Sequence, residues 1–175
     1  DLPYVVPGNL PSPLKRKMYQ LRGWYDGDTA NFSIGQGDLL VTPLQMTRMM
    51  AVFANKGFLV SPYLVQSVNG QDIRSSQQKI TRVHLKQETL DNVRIGLHQV
   101  VALNTGTAHV LEELNLSIAG KTGTAQAPPG QTHAWFVGFF PYENPRYAMC
   151  VFLERGGPGY AACLLAKQIL ATLIE

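Results

Sequence analysis

Apolar residues recur at helical spacing in three places and run in strand-like blocks between them. Over residues 42–56, Met46, Met49, Met50 and Phe53 fall at i, i+3, i+4 and i+7, one face of a helix that reads as core. Thr42 suits the N-cap, Pro43 the first helical position and Gln45 a capping box, and Gly57 supplies the stop. Residues 58–68 are strand-like and end at Asn69-Gly70, a two-residue hairpin signal, with 80–85 as the returning strand. A second helix is expected over 86–103, with Leu90, Val93, Leu97, Val100 and Val101 on one side. Thr105-Gly106-Thr107 breaks it, and a short helix follows over 108–114.

Beyond residue 116 the pattern changes to strands at 117–127, 134–140 and 147–154, then an apolar helix at 160–173 long enough to cover a sheet face. Consecutive strands with short connections pair antiparallel. The expected fold is therefore α+β, an antiparallel sheet with flanking helices. No repeat and no linker interrupts residues 1–175, which read as one domain. Residues 1–31 are rich in Pro and Gly and are expected to be irregular. Lys15-Arg16-Lys17 there reads as a solvated basic face.

Composition removes several classes. Net charge is +3 with 15% charged residues, too mild and scattered for nucleic acid. No apolar run reaches membrane-spanning length, and the N-terminus has no signal pattern. The chain opens at Asp1-Leu2-Pro3 like the middle of something longer. His84, His98, His109 and His133 are dispersed, so no metal site or cofactor is expected. Cys150 and Cys163 each sit in an apolar run and read as small buried hydrophobes, with a disulfide left open by spacing alone. Gly35-Gln36-Gly37 lacks the third glycine of a dinucleotide loop and opens no helix.

The chemistry concentrates at Ala119-Gly120-Lys121-Thr122-Gly123-Thr124-Ala125. On an edge strand, these residues offer backbone groups for an extended peptide to pair with. Gly123 lets a ligand backbone approach closely. Thr122 and Thr124 share one face, where two hydroxyls suit a carboxylate, and Lys121 favours an anion nearby. The plain structural alternative is an edge strand whose lysine discourages aggregation.

K-T-G is one of three motifs of penicillin-binding proteins and class A β-lactamases. Around it, Trp24-Tyr25-Asp26-Gly27-Asp28-Thr29, Ser33-Ile34-Gly35-Gln36-Gly37, Leu40-Val41-Thr42-Pro43-Leu44-Gln45 and His133-Ala134-Trp135-Phe136-Val137-Gly138-Phe139 extend the match over nearly the whole chain. The sequence resembles the C-terminal part of a class B penicillin-binding protein transpeptidase domain, and within that class is most similar to the elongation-type penicillin-binding protein 2 group.

That resemblance implies a partial transpeptidase fold and a serine acyl-enzyme mechanism on D-Ala-D-Ala stem peptides of peptidoglycan, with β-lactams acylating the same serine. It implies that Lys121 supplies electrostatics and proton transfer, that the Thr122 and Thr124 hydroxyls hold the terminal carboxylate beside Gly123, and that the Thr124 N–H is an oxyanion donor. It further implies cell-wall elongation machinery as partner and a bacterial envelope location, outside the inner membrane, anchored by an upstream helix. In the family the S-x-x-K and S-x-N motifs come earlier than this stretch. Ser12-Pro13-Leu14-Lys15, Ser76-Gln77-Gln78-Lys79 and Ser67-Val68-Asn69 match by letter and are set aside: two lie in polar or irregular runs and the third enters a hairpin. The chain alone is then expected to be inactive. A truncated, non-catalytic relative that binds peptidoglycan or a partner protein is the second reading, and a carboxypeptidase or β-lactam sensor a third. Arg155–Tyr160 falls where the family has a loop beside its cleft, or is a plain strand-to-helix connection.

Overall fold

A computed structural model describes residues 6–21, 23–73, 79–127 and 129–174. They form two compact units, 6–42 and 43–174, taken in turn.

In the larger unit, a three-stranded antiparallel sheet has the order β5-β6-β7, with β5 at Ala119–Ala127, β6 at Gln131–Phe140 and β7 at Tyr147–Leu153. Alternation along β6 feeds two apolar clusters. Ala134, Phe136 and Phe140 join Ala162, Cys163, Ala166 and Leu170 of helix α5 (Gly159–Ile174), together with Val101, Ala108 and Leu111. Val137 and Phe139 join Ala119 and Met50 of helix α3 (Pro43–Ala54), with Met46 and Phe53 packed beside them. Helix α4 (Gln87–Ala102) serves both, through Val101 in the first and Leu97 in the second. The antiparallel sheet with flanking helices expected from the sequence is therefore present.

Glycines let these layers close. Gly120 and Gly138 face each other across β5 and β6. A Cβ on Gly120 would lie 2.7 Å from the Phe136 ring, and one on Gly138 would lie 3.1 Å from it. The fully buried Phe136 ring thus fills the space two absent side chains leave.

The predicted strand at 58–68 is split. β1 (Phe58–Val60) pairs with β4 (Ile80–Arg82), while β2 (Ser67–Val68) and β3 (Gln71–Asp72) form a separate hairpin. Asn69 and Gly70 turn it with φ of 51° and 78°, the positive pair that Asn-Gly favours. Pro62 lacks the N–H a continuous ladder would use. The short helix after Gly106 is a 3₁₀ helix at His109–Leu114.

In the smaller unit, two eight-residue helices, α1 (Pro13–Gln20) and α2 (Asp26–Ser33), replace the expected irregular chain. Ser12 caps α1 by accepting from the Lys15 N–H at 3.2 Å, with Pro13 at the first helical position. The Asp28 carboxylate accepts from the Tyr25 N–H at 2.9 Å at the start of α2. Arg16, 7% exposed, pairs with Asp28 and Asp38 and lies 5.5 Å over the Trp24 ring. Hydrogen bonding to Asp28 raises its pKa further. Trp24 in turn donates to the Thr29 hydroxyl at 2.8 Å. The Trp24–Thr29 signature is thus a local clamp on Arg16.

Both cysteines are free thiols. Burial pushes each to about 11. At pH 8 the thiolate fraction is then about 10⁻³, so neither should react with iodoacetamide in the native protein, while both should in denaturant. Peptide mass mapping after timed alkylation checks this, and rapid native labelling of Cys163 would contradict its burial.

Candidate active site

Strand β5 is an edge: only β6 pairs with it among the described residues. Its register places Lys121 opposite Val137, Thr122 opposite Phe136, Gly123 opposite Trp135 and Thr124 opposite Ala134. Antiparallel partners share a face, so Thr122 and Thr124 lie on the side of Phe136 and Ala134, and Lys121 and Gly123 on the other. Lys121 and Thr124 are exposed, Thr122 and Gly123 half-buried.

The backbone has a direction too. The Ala119 carbonyl lies on the β6 side, 2.7 Å from where a Cβ on Gly138 would sit, and the Val137 carbonyl approaches Gly120 in the matching way at 2.8 Å. Strand alternation then turns the peptide groups of Lys121 and Gly123 toward β6 and those of Thr122 and Thr124 outward. Consistent with this, the Lys121 ammonium folds back to donate to the Thr122 carbonyl at 2.9 Å.

Two residues with no apparent chemistry in the sequence fix the threonine hydroxyls. Thr107 Oγ1 lies 2.8 Å from Thr122 Oγ1. Gly159, first residue of α5, donates its N–H to Thr124 Oγ1 at 2.9 Å. That accepted bond turns the Thr124 hydroxyl hydrogen away from α5. The positive end of a sixteen-residue helix also faces the site, adding to the Lys121 charge. Neither contact has a local signal, because 15 and 35 residues separate the partners. The Arg155–Tyr160 segment does reach the site, through Gly159. The Arg155 N–H donates to His133 Nδ1 at 3.1 Å and anchors its start.

Gly159 has no room for a side chain. A Cβ there would lie 2.6 Å from the Gly123 carbonyl oxygen and 3.1 Å from its nitrogen, all backbone atoms. Gly159→Ala should force α5 off β5, costing about 1–3 kcal/mol. It should also loosen the bond that aims the Thr124 hydroxyl. A melting curve beside a ligand-binding assay tests both, and unchanged values in each would contradict the packing.

The letter matches set aside have other work. Ser12 is a helix cap, and the Lys15 ammonium donates to the Leu10 carbonyl at 3.0 Å. The expectation that Ser12 lies in irregular chain is corrected, since it opens a helix. Ser67-Val68-Asn69 forms one side and the first turn position of the exposed β2–β3 hairpin. Residues 74–78, which hold Ser76, lie outside the described residues. Among the described residues, no cluster of His, Cys, Asp or Glu has the makings of a metal site, and no helix is long and apolar enough to cross a membrane.

The family model for the penicillin binding protein transpeptidase domain matches residues 8–175, across both units. The chain is 31% identical over 192 residues to the peptidoglycan D,D-transpeptidase MrdA of Escherichia coli K12, covering 97% of this chain and 30% of that protein. Pseudomonas aeruginosa PBP2, solved with WCK 5153, superposes with a TM-score of 0.82 at 34% identity, covering 96% of this chain and 37% of the other. Helicobacter pylori penicillin-binding protein PBP2, solved in complex with MreC, gives 0.81 at 29%, covering 98% and 32%. The chain spans less than a third of the curated relatives it matches, 30% of the Escherichia coli protein and 27% of its Haemophilus influenzae counterpart. With the family model matched over 168 of its residues (8–175), the chain belongs to the penicillin-binding protein transpeptidase domain family, and within it resembles the class B proteins of PBP2/MrdA type.

Proposed function

We propose that this chain is the peptide-docking half of a serine D,D-transpeptidase that cross-links peptidoglycan stems. The observation that carries the reading is the β5 edge, where two threonine hydroxyls are held in place and the peptide groups of Thr122 and Thr124 turn outward beside Lys121. A stem peptide ending in D-Ala-D-Ala pairs along this edge, with its terminal carboxylate on the Thr122 and Thr124 hydroxyls and its backbone close over Gly123.

The serine comes from sequence outside this chain. Its oxygen attacks the penultimate D-Ala carbonyl, and the oxyanion develops against the Thr124 N–H. The C–N bond breaks, and the terminal D-Ala leaves as an amine after gaining a proton. Lys121 stabilises the serine alkoxide and eases that proton's passage. An amine from a second stem then attacks the acyl-enzyme, forming the cross-link and releasing the serine. A β-lactam enters by the same route and stays bound. None of these steps calls on a cofactor.

The relatives' activity and the MreC complex of Helicobacter pylori PBP2 support a place beside cell-wall elongation machinery at the bacterial envelope, outside the inner membrane. The whole of residues 1–175 is taken as a contiguous part of one transpeptidase domain, as the span of the family model supports.

The test is intact-mass analysis of the full-length gene product after penicillin treatment, with the modified residue mapped. One adduct on a serine outside residues 1–175 is expected. No adduct would support the second reading, a non-catalytic relative that binds peptidoglycan or a partner. An adduct on Ser12 or Ser67 would overturn the assignment of the nucleophile.

A further inference from the structure

Thr107 stands on a turn with no slack. Where α4 ends, the Gly106 N–H donates to the Leu103 carbonyl at 2.8 Å, the Ala108 N–H to Val100 at 3.1 Å and the His109 N–H to Gly106 at 3.1 Å. His109 Nδ1 adds a bond to the Val101 carbonyl at 3.0 Å. A Cβ on Gly106 would lie 2.1 Å from the Val100 carbonyl oxygen, so the turn closes this tightly only around glycine. Val101 and Ala108, on either side, are fully buried. A side chain carried by such a turn keeps its place. Thr107 is itself exposed, and its Oγ1 is held 2.8 Å from Oγ1 of the half-buried Thr122.

The hydrogen count of that pair decides what it can do. Each hydroxyl has one hydrogen and two lone pairs, and a carboxylate has acceptors alone. Thr122 must therefore point its hydrogen at a bound carboxylate. Its bond with Thr107 then persists only with Thr107 as the donor. The two bonds run in series, Thr107 to Thr122 to carboxylate, and each polarises the other. Thr124 is backed in a similar way by the Gly159 N–H, which donates to its oxygen. A backbone N–H can only donate, whereas the Thr107 hydroxyl can turn round.

We infer that Thr107 is a positioning residue that commits Thr122 as a donor and so tunes the β5 edge to ligands ending in a carboxylate. The inference rests on the reading above that β5 docks such a ligand. Thr107 acts through Thr122 and takes no part in the acyl transfer. A residue that merely filled the turn would be replaced without loss by valine, which has the same shape and no hydroxyl.

The test uses the full-length protein and two probes, a D-alanyl thioester ending in a free carboxylate and its methyl ester. A neutral ester accepts a weaker hydrogen bond than a carboxylate and draws less on the relay. Thr107→Val should lower kcat/KM for the acid about five- to tenfold, the scale of one hydrogen bond, and for the ester less than about twofold. Thr107→Ser should restore the acid rate. Thr107→Ala, which only removes atoms, carries the same expectation as valine and guards against a misfit side chain. Equal losses on both probes, no loss on either, or no recovery with serine would overturn the inference. The unsubstituted protein separates the two proposals. No preference for acid over ester there sinks the docking edge, whereas a preference that Thr107→Val leaves intact sinks the role of Thr107 alone.

Discussion

Replacing Lys121 with alanine in the full-length protein is expected to slow penicillin acylation by about 10²- to 10³-fold, the scale seen when a preorganised electrostatic group is removed from an acyl-transfer site. The ammonium lies on the exposed edge of β5 and, among the described residues, bonds its own strand's outward Thr122 carbonyl. On the proposed mechanism, an arriving serine alkoxide or carboxylate exchanges that bond to a neutral carbonyl for one in which both partners are charged. Alanine leaves strand pairing intact, because the Lys121 side chain takes no part in the β5–β6 ladder. Folding should therefore be unchanged while acylation falls. Lys121→Arg keeps the charge but not the compact ammonium, and should recover part of the rate. Stopped-flow or gel-based kinetics with a fluorescent penicillin decide the point. A Lys121→Ala rate within about threefold of the unsubstituted protein would remove the residue from the mechanism.

The second large effect is on stability and lies at Arg94. This buried side chain donates to the carbonyls of Phe53 at 2.7 Å, Ala54 at 2.9 Å and Tyr142 at 2.8 Å. Its guanidinium also sits 5.0 Å from the Phe139 ring and 5.1 Å from the Tyr142 ring. It closes the C-terminal end of α3, binds the loop after β6 and packs on the second apolar cluster. Arg94→Met keeps much of the volume but leaves those three carbonyls without their donors, and should cost about 3–5 kcal/mol. For a domain of this size or larger that is a melting temperature lower by roughly 10 °C. Arg94→Lys should recover less than half, since one ammonium lacks the fork that spans three acceptors. Thermal denaturation of the full-length protein measures both, and a melting temperature unchanged by Arg94→Met would refute the latch.

Arg94 also shows where the sequence was silent. Leu90, Val93, Leu97, Val100 and Val101 mark the inner side of α4, and an arginine among them reads as solvent-facing unless the acceptors are known. Those acceptors come from 40 to 48 residues away. The first helices were missed for a related reason. α1 buries a charge and exposes its leucine, and α2 buries nothing, so apolar periodicity had no inner face to report. The one local signal for α1, Ser12 ahead of Pro13, was passed over when residues 1–31 were read as irregular. By contrast, Met46, Met50 and Phe53 do meet the second cluster, though Met49 stays 40% exposed. The edge position of Lys121–Thr124 was a condition of the sequence reading, which β5 meets as the outer member of the β5-β6-β7 order. What fixes the hydroxyls there, Thr107 and Gly159, is tertiary and leaves no local mark.

The most direct test of the docking edge is a crystal structure of the full-length protein acylated by a penicillin. The account predicts the drug's carboxylate on the Thr122 and Thr124 hydroxyls, its acyl oxygen at the Thr124 N–H and its amide running along β5. A carboxylate bound elsewhere, with β5 untouched by the adduct, would contradict it.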